Sequence, residues 1–288
     1  GSWGPPFIGT RPYASLDSVI HWYSGRPGME DFNNVMVPYR AYPDNVRDFF
    51  ETGTLAENSI TINGGNETSA LSVTLSQLNQ SGFVPETKFL RHNISIGGRT
   101  QLSNGLNITG SLAVTRSAQN GVISGVGDAT TGDPSAFART LYLGRNWDLQ
   151  GQPYQNPVDF GSEFMVSRGN ANNPYWSVYN SGIRAKIDRY VATVGFSYDF
   201  TSWLSLSYKL GFNTYNQNQL EFQRPAGAGT PIGKFTELNA ANDEINSDLI
   251  ATVTKDIGEN INFRALAGFN VNQRTRRTQA VNGTSYVI

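Results

Sequence analysis

The pattern of apolar and polar residues changes once along the chain, near residue 58. Before that point six prolines interrupt a stretch rich in aromatics, and neither a helical nor a strand period persists. This predicts an irregular segment over residues 1–57. From residue 58 to residue 288, apolar and polar residues alternate with a period of two in several long runs, which is typical of strands with one apolar face and one polar face.

The alternating runs are arranged as hairpins. The clearest one alternates through residues 90–102, turns at 103–105 and alternates again through 106–115. Similar units lie at 189–213 and 249–272, and a weaker one spans 59–78. Together they predict about eight antiparallel strands. No stretch has an apolar stripe of helical period that is long enough for a core helix.

Strand length and loop length point to a membrane barrel. The predicted strands have about 10 to 15 residues, whereas soluble sheets favour about 5 or 6 and a tilted membrane strand needs about 9 to 11. Turns within hairpins are short, but the connections at about 119–183 and 217–243 are long. This layout is typical of outer-membrane β-barrels with short periplasmic turns and long extracellular loops. The polar register carries basic residues that we expect to face the lumen, namely Arg91, Arg99, Lys209 and Arg264.

Composition narrows the possible functions. The mean hydropathy is −0.37, and no apolar run is long enough for a membrane helix, whereas alternating barrel strands average out to such a value. The net charge of −1 gives no reason to expect a nucleic-acid partner. The chain has no cysteine and only two histidines, which leaves little material for a metal site or a catalytic triad. We therefore expect no enzymatic activity, no cofactor and no metal.

The long connection at 119–183 is the predicted substrate-binding or partner-docking loop. Aromatic rings stack on sugars or on peptide side chains, arginine gives directional hydrogen bonds, and loops on a rigid scaffold are where binding concentrates. The alternative is that these aromatics pack the loop against itself or against a partner. The candidates are Arg145, Trp147, Tyr154, Arg168, Tyr175, Trp176 and Tyr179.

Several segments resemble the SusC/RagA family of TonB-dependent outer-membrane transporters of Bacteroidota. The similar segments, in chain order, are Ser2-Trp3-Gly4-Pro5 at the plug-to-barrel passage, residues 41–45 and 49–53 before the first strands, residues 58–60 and 72–76 in the first hairpin, Asn173-Pro174-Tyr175-Trp176 in a long loop, and residues 203–206 in the hairpin that follows. The resemblance covers essentially the whole chain.

This resemblance implies a plugged barrel of the 22-stranded type, of which the chain would be an internal segment. It implies an importer of oligosaccharides or peptides in the cell outer membrane, surrounded by outer-membrane lipid. It also implies a SusD-like surface lipoprotein as a partner, with TonB acting through the plug region. Residues 1–57 would then be the plug-to-barrel segment, and residues 58–288 the barrel strands with their extracellular loops.

Two other functions stay open on the sequence alone. A small passive porin or adhesin-like barrel would be complete in itself and would need no energy source. A soluble β-rich carbohydrate-binding protein or hydrolase would also show alternating strands with one face in water. Purification as a soluble monomer without detergent would favour the second, and separation into the outer-membrane fraction would exclude it.

Overall fold

The fold is all-β, with 60% of the described residues in strands and 8% in helices. The computed structural model describes residue 7 and residues 17–123, 135–165, 171–258 and 260–285. In these parts of the chain the helices are α1 (Asn45–Phe49), α2 (Ala136–Leu141) and α3 (Pro174–Asn180). None of these helices has the length or the apolar character required to cross a membrane.

Eight long strands form one antiparallel sheet in which each strand pairs with the next one along the chain. A separate two-stranded sheet joins β1 (Ser18–Ile20) and β2 (Met36–Pro38). The strands of the large sheet are β3 (Thr54–Gly65), β4 (Ser69–Ser81), β5 (Lys88–Gln101), β6 (Asn107–Gly121), β7 (Ser181–Asp199), β8 (Leu204–Gln223), β9 (Lys234–Ile257) and β10 (Ile261–Thr284). The sheet is open, with β3 and β10 at its edges, and the predicted barrel-segment fold is confirmed.

The hairpin turns and the long connections lie at opposite ends of the sheet. Turns 66–68, 102–106 and 200–203 and the link from β9 to β10 close the four hairpins at one end. Side chains stabilise them, since Asn66 Oδ1 accepts from the backbone N–H of Thr68 and of Ser69, at 3.0 and 2.8 Å. Connections 82–87, 122–180 and 224–233 lie at the other end, which we call the loop end.

The strands continue farther toward the loop end than the sequence pattern predicts. The predicted loop 217–243 is wrong, because β8 runs to Gln223 and β9 begins at Lys234. The first long strand begins at Thr54 rather than at residue 58. The connection predicted at 119–183 is shorter in the structure and spans residues 122–180. Near the loop end both faces of the sheet are largely polar. The alternation that locates a strand is therefore lost there, although backbone pairing continues.

The two faces of the sheet differ sharply in chemistry. Register partners form rows that cross the sheet, and adjacent rows point to opposite faces. One row on the apolar face contains Ile62, Val73, Ile96, Leu112, Ala192, Phe212 and Ile245, and it ends at Gln273 on β10. The adjacent row, on the polar face, contains Asn63, Ser72, Gly97, Ser111, Thr193, Gly211, Asn246 and Asn272.

The apolar rows form a belt that exposes its side chains. On β7 this apolar belt runs from Tyr190 to Tyr198, and on β10 from Ile261 to Val271. Large apolar side chains point outward without cover, such as Phe269, which is 68% exposed. About ten residues at 3.3 Å each, tilted by about 45°, give a belt about 25 Å high. This height matches the apolar band of an outer-membrane barrel.

Residues 17–53, 135–165, 171–180 and 224–233 form a separately packed unit at the loop end, which we call the loop lobe. Its core brings together aromatics from distant parts of the chain. Trp147 makes edge contacts with Trp22, Tyr23 and Phe164, at ring-centroid distances of 5.3 to 6.0 Å. The helix α3 starts at the N-cap Asn173, whose side chain accepts from Tyr175 N–H, and Pro174 follows in the first turn.

A buried ion pair joins the N-terminal part of the loop lobe to the long connection. Arg26 donates to Glu163 at 2.6 Å, and the side chain of Glu163 is fully buried. Asn156 Nδ2 donates to the other oxygen of Glu163 at 3.0 Å, and also to the carbonyl of Pro27 at 2.9 Å. The Arg26 guanidinium also lies over the Tyr23 ring at 4.8 Å. The buried carboxylate is therefore neutralised and hydrogen-bonded at both oxygens.

His21 has a structural role in the same lobe. Burial lowers its pKa, although a hydrogen bond with Gln152 at 2.7 Å acts in the opposite direction. The ring nitrogen Nδ1 accepts from the backbone N–H of Tyr23 at 3.0 Å, so the proton of the neutral ring lies on Nε2, facing the Gln152 oxygen. The imidazole thus links β1 to the long connection.

Removing the charge of Glu163 tests whether this ion pair holds the loop lobe together. We expect Glu163→Gln to destabilise the lobe by about 3 kcal/mol, because the 2.6 Å contact from Arg26 would lose its charged acceptor in a largely dry site. Arg47→Gln is the control, since it removes an exposed pair with Asp44 and Asp48 that contributes about 0–1 kcal/mol. Hydrogen exchange of the backbone amides of residues 21–35 measures the effect. Equal protection in both variants would contradict this assignment.

Candidate functional site

The polar face of the sheet contains all four basic residues that were predicted to face a lumen. Arg99 and Lys209 lie in one row, separated by Thr109 and Gly195. Arg91 is nearer the loop end and forms a 3.4 Å ion pair with Glu57. Arg264 lies near the turn end, opposite Thr254. These cations are therefore spread over the height of the face and do not form one cluster.

A ladder of amides and carboxylates crosses β9 and β10 on the same face. Asn270 donates to Asn246 at 2.9 Å, and Asn246 donates to Asp248 at 2.8 Å. Glu244 accepts from Asn272 and from Arg274, both at 2.9 Å. The row partner of Asp248 on β8 is Lys209. Because this surface offers donors and acceptors in alternation, it suits ligands with many polar groups, such as peptide backbones or sugar hydroxyls.

Three of the predicted loop residues form a second surface, which we call the tyrosine cluster. The rings of Tyr154, Tyr175 and Tyr179 lie 5.4 to 6.4 Å apart, and those of Tyr175 and Tyr179 are stacked, with an interplanar angle of 14°. Tyr179 is 46% exposed, and the other two are partly buried. Burial raises the pKa of Tyr175 and of Tyr179, so both hydroxyls stay protonated at neutral pH and remain able to donate.

A small pocket of about 130 Å³ adjoins the tyrosine cluster. Tyr179 and Glu86 line it from the loop side, and Asn120, Arg184 and Phe222 line it from the strands. The Arg184 guanidinium lies over the Phe222 ring at 4.9 Å. The pocket therefore combines a carboxylate, a guanidinium and aromatic rings, which can hold a small group that carries both polar and apolar parts.

The two tryptophans of the predicted site are packing residues in this structure. Trp147 and Trp176 are fully buried, and Trp176 Nε1 donates to the carbonyl of Phe160 at 2.9 Å. Gly227 of the 224–233 connection lies against the Trp176 ring, so closely that an added Cβ would come within 2.6 Å of it. Buried rings have no surface to offer a ligand. Packing of the loop against itself, the alternative left open by the sequence, accounts for both residues.

The remaining two predicted residues lie elsewhere. Arg145 is exposed, and its carbonyl accepts from the backbone N–H of Tyr42 at 2.7 Å. Arg168 lies outside the described residues.

Sequence reasoning missed Glu86, Arg184 and Phe222 as pocket residues, and it missed the ladder on β9 and β10. Strand register is the signal that could have found the ladder, since it places Glu244, Asn246 and Asp248 on one face. Within the described parts of the chain, no group of three or more acidic or histidine side chains is arranged to hold a metal ion.

A long-stranded antiparallel sheet with one apolar belt and one polar face defines a segment of a β-barrel wall. Comparison with solved structures agrees. The chain is similar to a RagAB peptide importer in its closed-closed and open-open states, each with a TM-score of 0.68 and 15% identity over 84% of this chain. It is also similar to a structure of the RagAB peptide transporter, with a TM-score of 0.66 and 13% identity.

These matches concern the fold, because the identities are low. The chain spans about a quarter of the length of these neighbours, at 26 to 27%. No family model matches the sequence, and no curated protein matches it. The structural neighbours therefore show that the fold is that of one segment of their barrels.

Substituting one tyrosine and one tryptophan tests which of the two rings belongs to the core of the loop lobe and which has a free surface. We expect Trp147→Ala to destabilise the loop lobe by about 3–5 kcal/mol, because it leaves a large cavity. We expect Tyr179→Ala to cost less than about 1 kcal/mol, because its ring is half exposed. Limited proteolysis of the lobe under increasing urea measures both. Equal destabilisation would mean that Tyr179 is a core residue and has no free surface for binding.

Proposed function

We propose that the chain forms part of the barrel wall of a SusC-like, TonB-dependent nutrient importer in the outer membrane. The observation that carries the proposal is the division of one sheet into an exposed apolar belt about 25 Å high and a predominantly polar face. In a soluble protein an apolar face this large would be covered by a second layer. In the described residues, the loop lobe packs at the end of the sheet and leaves the belt open.

The polar face then lines the water-filled interior, and the substrate is a polar oligomer. The amide and carboxylate ladder pairs equally well with peptide groups and with sugar hydroxyls. Because the structural neighbours are described as peptide importers, we favour a peptide over an oligosaccharide. Transport of this kind needs no covalent chemistry, in keeping with the expectation that the chain is not an enzyme.

The loop lobe supplies the outer surface of the importer. It lies at the end of the sheet with the long connections, which is the extracellular end in outer-membrane barrels. A SusD-like surface lipoprotein would dock on this end, with the tyrosine cluster facing either the lipoprotein or the incoming peptide. Energy would come from TonB acting through a plug region supplied by the rest of the importer.

Arginine substitutions at two adjacent residues of β10 test which face of the sheet meets lipid. We expect Phe269→Arg to weaken membrane assembly by about 1–2 kcal/mol, because it places a charge on the belt between the belt's centre and its loop-side edge. Asn270→Arg is the matched control, since it lies on the polar face, where a cation is solvated. The amount of heat-resistant protein recovered in the outer-membrane fraction measures assembly. Recovery of the wild-type chain as a soluble monomer would overturn the proposed function.

The tyrosine cluster provides the test of import. We expect Tyr154→Ala with Tyr179→Ala to lower uptake of labelled oligopeptides about tenfold, because two aromatic contacts of about 0.5–1.5 kcal/mol each are lost. Tyr142→Ala is the control, since this ring is exposed on the same lobe outside the cluster. Unchanged uptake in the double variant would remove the cluster from the transport pathway.

A further inference from the structure

An unusual group of basic side chains lies on the apolar face, directly on the loop side of the belt. Three rows of three positions across β5, β6 and β7 form this basic patch. The rows are Lys88, Asn120 and Arg184, then Leu90, Ala118 and Lys186, then His92, Arg116 and Asp188. The last of these rows is the first one above the belt, since the next row toward the turns contains Ile94, Val114 and Tyr190.

The positive charge of this patch is largely unbalanced. Lys88, Arg116, Arg184 and Lys186 are all exposed, and Asp188 is the only carboxylate at the nine positions. Arg116 binds Asp188 at 2.6 Å, yet its side chain stays 72% exposed. Within the described residues, no carboxylate forms an ion pair with Lys88, Arg184 or Lys186, although Glu86 shares the small pocket with Arg184.

The neighbouring strands show that this charge is local. At the corresponding rows, β4 and β8 carry only uncharged residues, namely Gln77, Asn79, Ser81, Asn216, Asn218 and Leu220. On the same face at β10, Arg277 lies 3.7 Å from Asp243, so the carboxylate of Asp243 balances the positive charge of Arg277. A general need for solubility above the belt would not concentrate the cations on three adjacent strands.

A groove in the apolar belt lies below the patch on the same strands. Gly98 and Gly110 are register partners and leave a gap in the surface. Leu71, Ile96, Ile108 and Leu112 surround this gap, and the open space measures about 500 Å³. Six residues separate the glycine row from the row of His92 and Arg116, which is about 20 Å along the strand and about 14 Å along the membrane normal after tilt.

That separation matches the thickness of one leaflet, about half of a 30 Å hydrocarbon core. We propose that β5, β6 and β7 form a binding site for a membrane lipid with an anionic phosphate headgroup. The phosphate sits among Arg116, Lys186, Arg184 and Lys88, and one acyl chain runs down to the groove at Gly98 and Gly110. The inference rests on the proposed function in one respect only, namely that the apolar face meets lipid.

Titration of the membrane-extracted protein with lipid tests the site. Delipidated protein in neutral detergent is titrated with phosphatidylglycerol, and bound lipid is counted by native mass spectrometry. We expect the fourfold variant Lys88→Gln, Arg116→Gln, Arg184→Gln and Lys186→Gln to bind it at least about tenfold more weakly, because each cation near a lipid surface contributes. Arg277→Gln is the control and should bind as the wild type does.

A second variant addresses the groove without touching any charge. Gly110→Leu should also weaken binding, because its side chain fills the space meant for the acyl chain. An added Cβ there meets only the Thr193 carbonyl oxygen at 3.9 Å, so the variant should fold. Wild-type affinity in either the fourfold variant or Gly110→Leu would overturn the inference. Displacement of the lipid by inorganic phosphate at an equal concentration would also overturn it, since the acyl chain would then add nothing and the site would take a soluble anion.

The outcomes separate this inference from the proposed function. If the wild-type protein does not assemble in membranes, the proposed function fails, and the lipid site falls with it. If the protein assembles normally and the fourfold variant retains its affinity for phosphatidylglycerol, only the lipid site fails. Heat-resistant assembly of every variant is checked first, so that a folding defect is not counted as a loss of lipid binding.

Discussion

Backbone hydrogen bonds between neighbouring strands are the constraint on which the rest of this structure depends. Each of the eight long strands pairs with its neighbour in the chain, without a crossover, over 12 to 24 residues. This continuous pairing satisfies the polar backbone groups of the six inner strands, so that the apolar face needs no hydrogen-bond partner from its surroundings. It also fixes the register, and the register decides which side chains share a face. A shift of one residue in any strand would exchange its apolar belt for its polar face.

The sequence predicts the parts of the fold in which apolar and polar residues alternate along a strand, so that each kind points to one face of the sheet. The belt residues from Leu204 to Phe212 follow a strict period of two, and those from Tyr190 to Tyr198 do so except at Val191. The turn at 102–106 contains the turn-forming residues Ser103, Asn104 and Gly105. The strand ends near Gln223 and Lys234 have no such signal, because polar residues occupy positions on both of their faces. Backbone pairing persists there without any demand on the side chains, so a sequence pattern has nothing to detect.

The candidate site could be predicted only in part, for a different reason. Residue type shows that Trp147, Trp176 and Tyr179 are suited to stacking, but only long-range packing decides which of them is exposed. Trp147 is buried by Trp22 and Tyr23, which lie more than a hundred positions earlier in the chain. The same holds for Glu163, whose partner Arg26 is 137 residues away. A local sequence pattern cannot predict contacts between residues this far apart in the chain. Each such contact depends on where the sheet places the two segments of the lobe.

The belt and the lobe require different surroundings, and the polar strand ends between them allow both to occur in one chain. An apolar belt needs lipid around it, whereas the loop lobe needs its own dry core in water. The polar strand ends hold the lobe above the belt, and they leave a zone on the outer face where side chains meet neither hydrocarbon nor the lobe core. Cations in this zone keep full hydration and still lie within reach of membrane headgroups. The strand ends that the alternation pattern fails to predict are therefore where the outer face gains the freedom to carry charge.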